Sequence, residues 1–289
     1  MRAARVYIRF PGEVSKAVTL SYDDGSEQDI RLISILNSHG MKGTFNISSG
    51  LYSPEGNTFK EGSVCRRLSQ KACIELYKNS GHEVAVHGYS HPMLEQMPSS
   101  RVVLEVLEDR LNLEKDYGVP IRGMAYPFGS YSQSVVDTLK SAGIAYSRLT
   151  SPTRNFNLPQ DWLRLEPTCK HTDGQLTELI ERFVASKGER AAKLFYLWGH
   201  SFEFESDNNW DVIERFCESI GGRDDTWYAT NIEIYDYTKA YERLIWMADM
   251  SGVYNPSVTP VSFMYHTLDA SGEERRLYTV RGGETLLIP

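Results

Sequence analysis

At 289 residues, with 41% hydrophobic and 24% charged content, the chain can bury a large core as one domain with a small appendage. Its formal net charge of −7 and lack of a long basic run exclude nucleic acid and an anionic membrane as expected partners. Arg9, Glu13 and Lys16 interrupt any signal or membrane segment, and four cysteines form no CxxC pair, so a cytoplasmic protein with reduced thiols is expected.

Residues 17–25 (AVTLSYDDG) read as a strand in which Val18 and Leu20 alternate with Thr19 and Ser21, ending at two carboxylates and a glycine. Taken alone, Asp-Asp-Gly is also a surface-turn sequence. Helical spacing over 27–39, closed by Gly40, makes a first β-α unit. The alternation continues with a strand at 43–49, a punctuated loop over 50–63 and a helix at 69–79. Next come a strand at 83–88, a helix at 99–117, a strand at 121–127 and a helix at 132–141.

A fifth strand is predicted at 145–149, an irregular stretch through Pro159, a sixth strand at 163–168 and a helix at 175–187. Then follow a strand at 194–199, a helix at 211–220, a strand at 227–232 and a last helix to about 250. Strands and helices alternating at this pace imply a parallel sheet with helices outside, here an α/β fold of the distorted (β/α)7-8 barrel type spanning 1–250. From 251 to 289, short β-type runs split by turn residues predict a small C-terminal β appendage.

Such barrels place chemistry at the C-terminal ends of their strands. Those ends would deliver Asp23 and Asp24, His87 and His91, the run Tyr126-Pro127-Phe128-Gly129, and His200. His87 and His91, with three residues between them, can converge on one cation, and a carboxylate from elsewhere would complete a facial triad. An H-x3-H pair is weak by itself; the aspartate pair and a late histidine strengthen it. His39 and His82 read as structural, His266 belongs to the appendage, and Trp210 reads as a core anchor rather than a sugar platform. Tyr89, Tyr126 and Tyr131 fall on loops where their rings can stack on a sugar or simply pack.

Over residues 17–237 the sequence resembles the polysaccharide deacetylase family, the NodB-homology domain of carbohydrate esterase family four. Leu20-Ser21-Tyr22-Asp23-Asp24-Gly25 stands where that family has Thr-Phe-Asp-Asp-Gly, which implies Asp23 as general base and Asp24 as metal ligand. His87-Gly88-Tyr89-Ser90-His91 matches its His-Ser/Thr-x-x-His, supplying two further ligands with Gly88 in place of a hydroxyl. Ala125-Tyr126-Pro127-Phe128-Gly129 matches Arg-x-Pro-Tyr/Phe-Gly without the arginine; Arg122 lies too early in its strand, and Arg164 is the candidate substitute. The resemblance puts an oxyanion donor at the Phe128 N–H and Tyr126 among the substrate contacts.

Asp161-Trp162 is a doubtful fourth motif, and His171 is the residue placed at the rim instead. Leu197-Trp198-Gly199-His200 stands one residue out of step with the family's Leu-x-His, with His200 as general acid and Trp198 or Leu197 against an acetyl methyl. The implied chemistry is hydrolysis of an acetyl group from an acetylated oligosaccharide, N-acetyl foremost, assisted by one divalent ion. Zinc leads, with cobalt, nickel, manganese and iron compatible with the same donors. Alternatives are a small-amide or ureide hydrolase on the same barrel and a catalytically silent glycan-binding protein.

Overall fold

In the computed structural model, which describes residues 3–188, 190–269 and 272–289, the sheet is built outward from β2 (Lys16–Asp23), all of whose residues are buried. β1 (Ala3–Arg9) precedes it, and α1 (Asp29–Ser38), β3 (Gly43–Ile47), α2 (Gln70–Tyr77), β4 (Glu83–Val86) and α3 (Ser99–Tyr117) follow. Then come β5 (Gly123–Ala125), α4 (Gln133–Ser141), β6 (Tyr146–Arg148), β7 (Cys169–Lys170) and α5 (Leu176–Ala185). β8 (Lys193–Gly199), α6 (Ser201–Ser206), α7 (Asp211–Ile220), β9 (Thr226–Tyr228) and α8 (Asn231–Glu242) complete the α/β part. Parallel pairing gives the order β6-β5-β4-β3-β2-β8-β7, with β9 also on β2, a curled sheet of the distorted barrel type.

Local chemistry sets where the elements begin and end. Ser69 and Ser132 cap α2 and α4 through their hydroxyls, Thr230 and Glu233 form a capping box on α8, and α3 stops at Gly118 with φ 72°. Leu20, Tyr22, Phe45, Val86 and Leu197 from the strands meet Leu32, Leu36, Val106 and Leu139 from the helices in one core. All four cysteines are free thiols, and among the described residues no helix is long and apolar enough to cross a membrane.

Three elements differ from the sequence prediction. The predicted strand at 163–168 is a single 3-10 turn, Trp162–Arg164, followed by a lone bridge from Leu165 to Arg148. Pro167 has no N–H to give to a ladder, so the pairing restarts with Thr168 N–H donating to Tyr196 O at 2.8 Å. Leu165 on β6 and Thr168 on β8 thereby draw together the two sides of the curled sheet. The predicted strand at 227–232 ends at Tyr228 because Thr230 already caps α8. α6, directly after His200, is too short for its periodicity to register.

The C-terminal region has β10 (Ile245–Trp246), β11 (Gly252–Tyr254), β12 (Val261–Asp269), β13 (Gly272–Val280) and β14 (Thr285–Leu287). β1 joins it, pairing antiparallel with β12 in the order β1-β12-β13. Val253, Val261, Phe263, Tyr265 and Val280 pack there with Ala240 and Leu244, at and just beyond the end of α8.

Candidate active site

The last residues of β2 divide the two acids. Asp23 points inward and is 2% exposed, while Asp24 adopts φ 82° and Gly25 φ 62° as the chain turns off the sheet. Glycine suits the left-handed backbone there, and a Cβ on Gly25, 2.8 Å from Ile47 Cδ1, would also oblige that side chain to shift. Asn46 Nδ2 donates to Asp23 Oδ1 at 2.8 Å, and the fully buried Arg148, from the end of β6, donates through Nη2 to both Asp23 oxygens. Burial alone would raise the Asp23 pKa, but the guanidinium, aided by His87 and His200, outweighs it and lowers the value to about 2.

Arg148 therefore occupies the role for which Arg164 was the candidate. Arg164 turns its guanidinium to Asp161 and Gln133 instead, on the 3-10 turn that replaced the predicted sixth strand. Tyr126 is also corrected: it is fully buried, and its hydroxyl donates to Leu163 O at 2.7 Å, bracing that turn rather than facing a substrate.

β4 delivers His87. Its Nδ1 lies 2.9 Å from Ala125 O, so that nitrogen carries the proton and Nε2 is left as a lone pair facing Asp23 Oδ2 at 3.7 Å. The following loop turns through Gly88 at φ 76°, and a Cβ there would press on Pro92 Cδ at 3.3 Å. The support that a hydroxyl at Gly88 would have given comes from Ser90, whose N–H and Oγ–H both donate to Glu105 at 2.8 and 2.9 Å. His91 at φ 55° sets its ring 4.7 Å from that of His87 and 4.5 Å from Phe128. Phe128, at φ 59° in the turn Pro127–Gly129, is 60% exposed beside the site.

One donor atom each from Asp24, His87 and His91 lies within 4.8 Å of the others. The donor chemistry fits a divalent cation: burial lowers the pKa of both imidazoles, that of His91 to about 4, so both present neutral nitrogen lone pairs at neutral pH.

β8 delivers His200 to the opposite side of Asp23, with Nε2 at 3.9 Å from Asp23 Oδ2. Its Nδ1 lies 3.2 Å from Glu203 Oε1, on the first turn of α6. Burial opposes charge on His200, but Glu203 and Asp23 outweigh it and raise the pKa above the ordinary imidazole value. Glu203 is itself shared, with His171 Nε2 at 3.1 Å from Oε2 and Lys170 Nζ donating to Oε1 at 2.7 Å. Burial would raise its pKa, but these three partners hold it far below the carboxylate range.

His171 is not at the rim. It is 2% exposed, packed at 4.2 Å against Phe204 and stacked at 5.8 Å on Tyr22, where it holds Glu203 from behind. Its ring also accounts for glycine at position 199, since a Cβ there would lie 2.0 Å from His171 Nδ1. Trp198 is 6% exposed and carries the Arg148 guanidinium 4.5 Å over its ring, so its role here is to seat the arginine. His82 accepts the Gly43 N–H at 3.0 Å, and Trp210 packs at 5.1 Å on Phe204, both structural as predicted. Sequence reading missed Arg148, Glu203 and Arg67. An arginine ending a short buried strand, and an acid three residues after His200, were the available signals.

The polysaccharide deacetylase family model matches residues 12–147, taking in both aspartates and both loop histidines but ending before Arg148 and His200. An uncharacterized Bacillus subtilis protein, YlxY, is 26% identical over 132 residues; the match spans 46% of this chain and 37% of that protein, well under half its length. A putative polysaccharide deacetylase from Mycobacterium smegmatis shares the fold with TM-score 0.58 at 15% identity, over 84% of this chain and 96% of that one. A family 4 carbohydrate esterase from Streptomyces lividans, in complex with acetate, superposes with TM-score 0.51 at 16% identity, over 75% and 93% of the two chains. Residues 12–147 thus match the polysaccharide deacetylase family model, and the barrel those residues begin shares the fold of these two solved structures.

Proposed function

We propose that the chain is a metal-dependent deacetylase that removes acetyl groups, N-acetyl foremost, from a carbohydrate. The observation that carries this reading is the convergence of Asp24, His87 and His91 within 4.8 Å beside an Asp23 that is flanked by His87 and His200. Asp24, His87 and His91 would hold the ion, zinc foremost, which when bound polarises an acyl carbonyl and acidifies water.

The rest of the chemistry belongs to the chain's own residues. Asp23, ionised at neutral pH by its pairing with Arg148, takes the proton of the attacking water. His200, whose protonated form Glu203 and Asp23 favour, gives a proton to the departing amine, the leaving group that most needs one. The Phe128 N–H is assigned to the developing oxyanion. The exposed Phe128 ring gives a sugar an apolar face to lie against. Acetate release from N-acetylated oligosaccharides by stripped and zinc-reloaded protein tests the reading, with O-acetylated sugars and small cyclic amides as competing substrates. Release confined to the cyclic amides would transfer the assignment to a small-amide hydrolase.

A further inference from the structure

Each of the two adjacent acids has its own arginine, and the two pairs differ in kind. Arg148 takes both oxygens of Asp23, whereas Arg67 Nη2 donates to one oxygen of Asp24, Oδ1, at 2.6 Å. Arg67 comes from the long segment between β3 and α2, far from any motif in the sequence. That segment returns along the start of α1: Arg67 bridges Ser26, Leu68 N–H donates to Gly25 O at 2.9 Å, and Glu27 N–H donates to Arg66 O at 2.8 Å. Arg66 fastens it further, with Nε on Glu27 at 2.6 Å and Nη1 on Glu205 at 2.8 Å. The side chains of Arg67 and Asp24 are only 22% and 10% exposed.

The geometry points to Arg67 as a positioning residue for the cation site, a role that rests on the metal-centre reading above. Asp24 sits past the end of the ladder at φ 82°, where strand packing no longer fixes its side chain. An anchored guanidinium on Oδ1 stops the carboxylate from rotating and leaves Oδ2 for a cation held with His87 and His91. The same arrangement separates the acids: Arg148 engages both oxygens of Asp23, whereas Arg67 engages only Oδ1 of Asp24. Fixing a ligand through its outer partner is commonly worth tenfold or more in metal affinity. The opposing effect, repulsion between guanidinium and cation, is smaller here because Asp24 lies between them.

The test is metal affinity, measured on the metal-free chain by titrating Zn2+ against a chromophoric chelator and by the visible absorption of Co2+. Arg67→Gln is expected to weaken Zn2+ binding by about 10–100-fold. Arg67→Lys, which keeps the charge but loses the planar fork, is expected to weaken it less and to alter the Co2+ spectrum. Lys71→Gln, at a side chain 71% exposed on α2, leaves affinity unchanged and controls for net charge. Equal or tighter binding by a folded Arg67→Gln overturns the inference, tighter binding meaning that the guanidinium competes for Asp24. Should that variant fail to fold, an Arg67→Lys chain with unchanged affinity and Co2+ spectrum overturns it equally. If the unaltered chain binds neither ion, the metal-centre reading itself fails; if it binds and the variants bind alike, the role of Arg67 alone falls.

Discussion

Arg148 and Asp23 stand 125 residues apart in the chain and meet as a closed pair, the arginine wholly buried and the aspartate nearly so. Arg148→Met removes the partner and leaves a buried carboxylate unpaired, a change that destabilises by about 3–5 kcal/mol. Urea unfolding is expected to show that loss. In the variant, burial acts on Asp23 unopposed by the guanidinium, so its pKa rises and the acid limb of the rate profile moves to higher pH. A melting curve and acid limb both unchanged would contradict the pairing.

Glu203 sets the alkaline limb. Its negative charge, with that of Asp23, stabilises the His200 imidazolium and raises that pKa. Deacetylation should therefore fail on the acid side where His87 and His91 take up protons in place of the cation or Asp23 is neutralised, and on the alkaline side at a limit above the ordinary imidazole value, where His200 loses its proton. Glu203→Gln removes the stabilising charge, lowers the His200 pKa and shifts the alkaline limb to lower pH. Each unit of displacement would reduce the rate about tenfold at pH values above both limits. A limb that stays in place would show that Glu203 does not govern the general acid.

Gly199 and His171 form a steric couple. Gly199→Ala forces a methyl against a buried ring and is expected to destabilise by about 1–3 kcal/mol. His171→Ala empties the space, so the double variant His171→Ala/Gly199→Ala should be more stable than the sum of the two single changes implies. Strict additivity in urea unfolding would exclude the contact.

The barrel and half of the candidate site are legible in the sequence for a physical reason: both depend on local pattern. Helix α3 was bounded correctly because its apolar stripe is long and Gly118 ends it. Asp23, Asp24, His87 and His91 announced themselves by spacing on strand ends. What stayed hidden depends on contacts distant in the chain. Arg148 is one residue of a short strand whose meaning comes only from the curl that aims it at Asp23. Glu203 lies on a helix too short to show a period. β1 gains its partner only after residue 260, at β12, and Pro167 broke a segment whose apolar alternation otherwise suited a strand. Arg164 was chosen because it lay on a predicted strand; the 3-10 turn that stands there points it to Asp161.

The most direct test of the account is acetate release from an N-acetylated oligosaccharide by three samples: stripped protein, zinc-reloaded protein and zinc-reloaded Asp23→Asn. The account predicts release by the reloaded protein, none after stripping, and a rate lower by about 10²–10⁴-fold in Asp23→Asn while that variant still binds one equivalent of zinc. Release that survives stripping, or an Asp23→Asn rate near that of the unaltered chain, would contradict it.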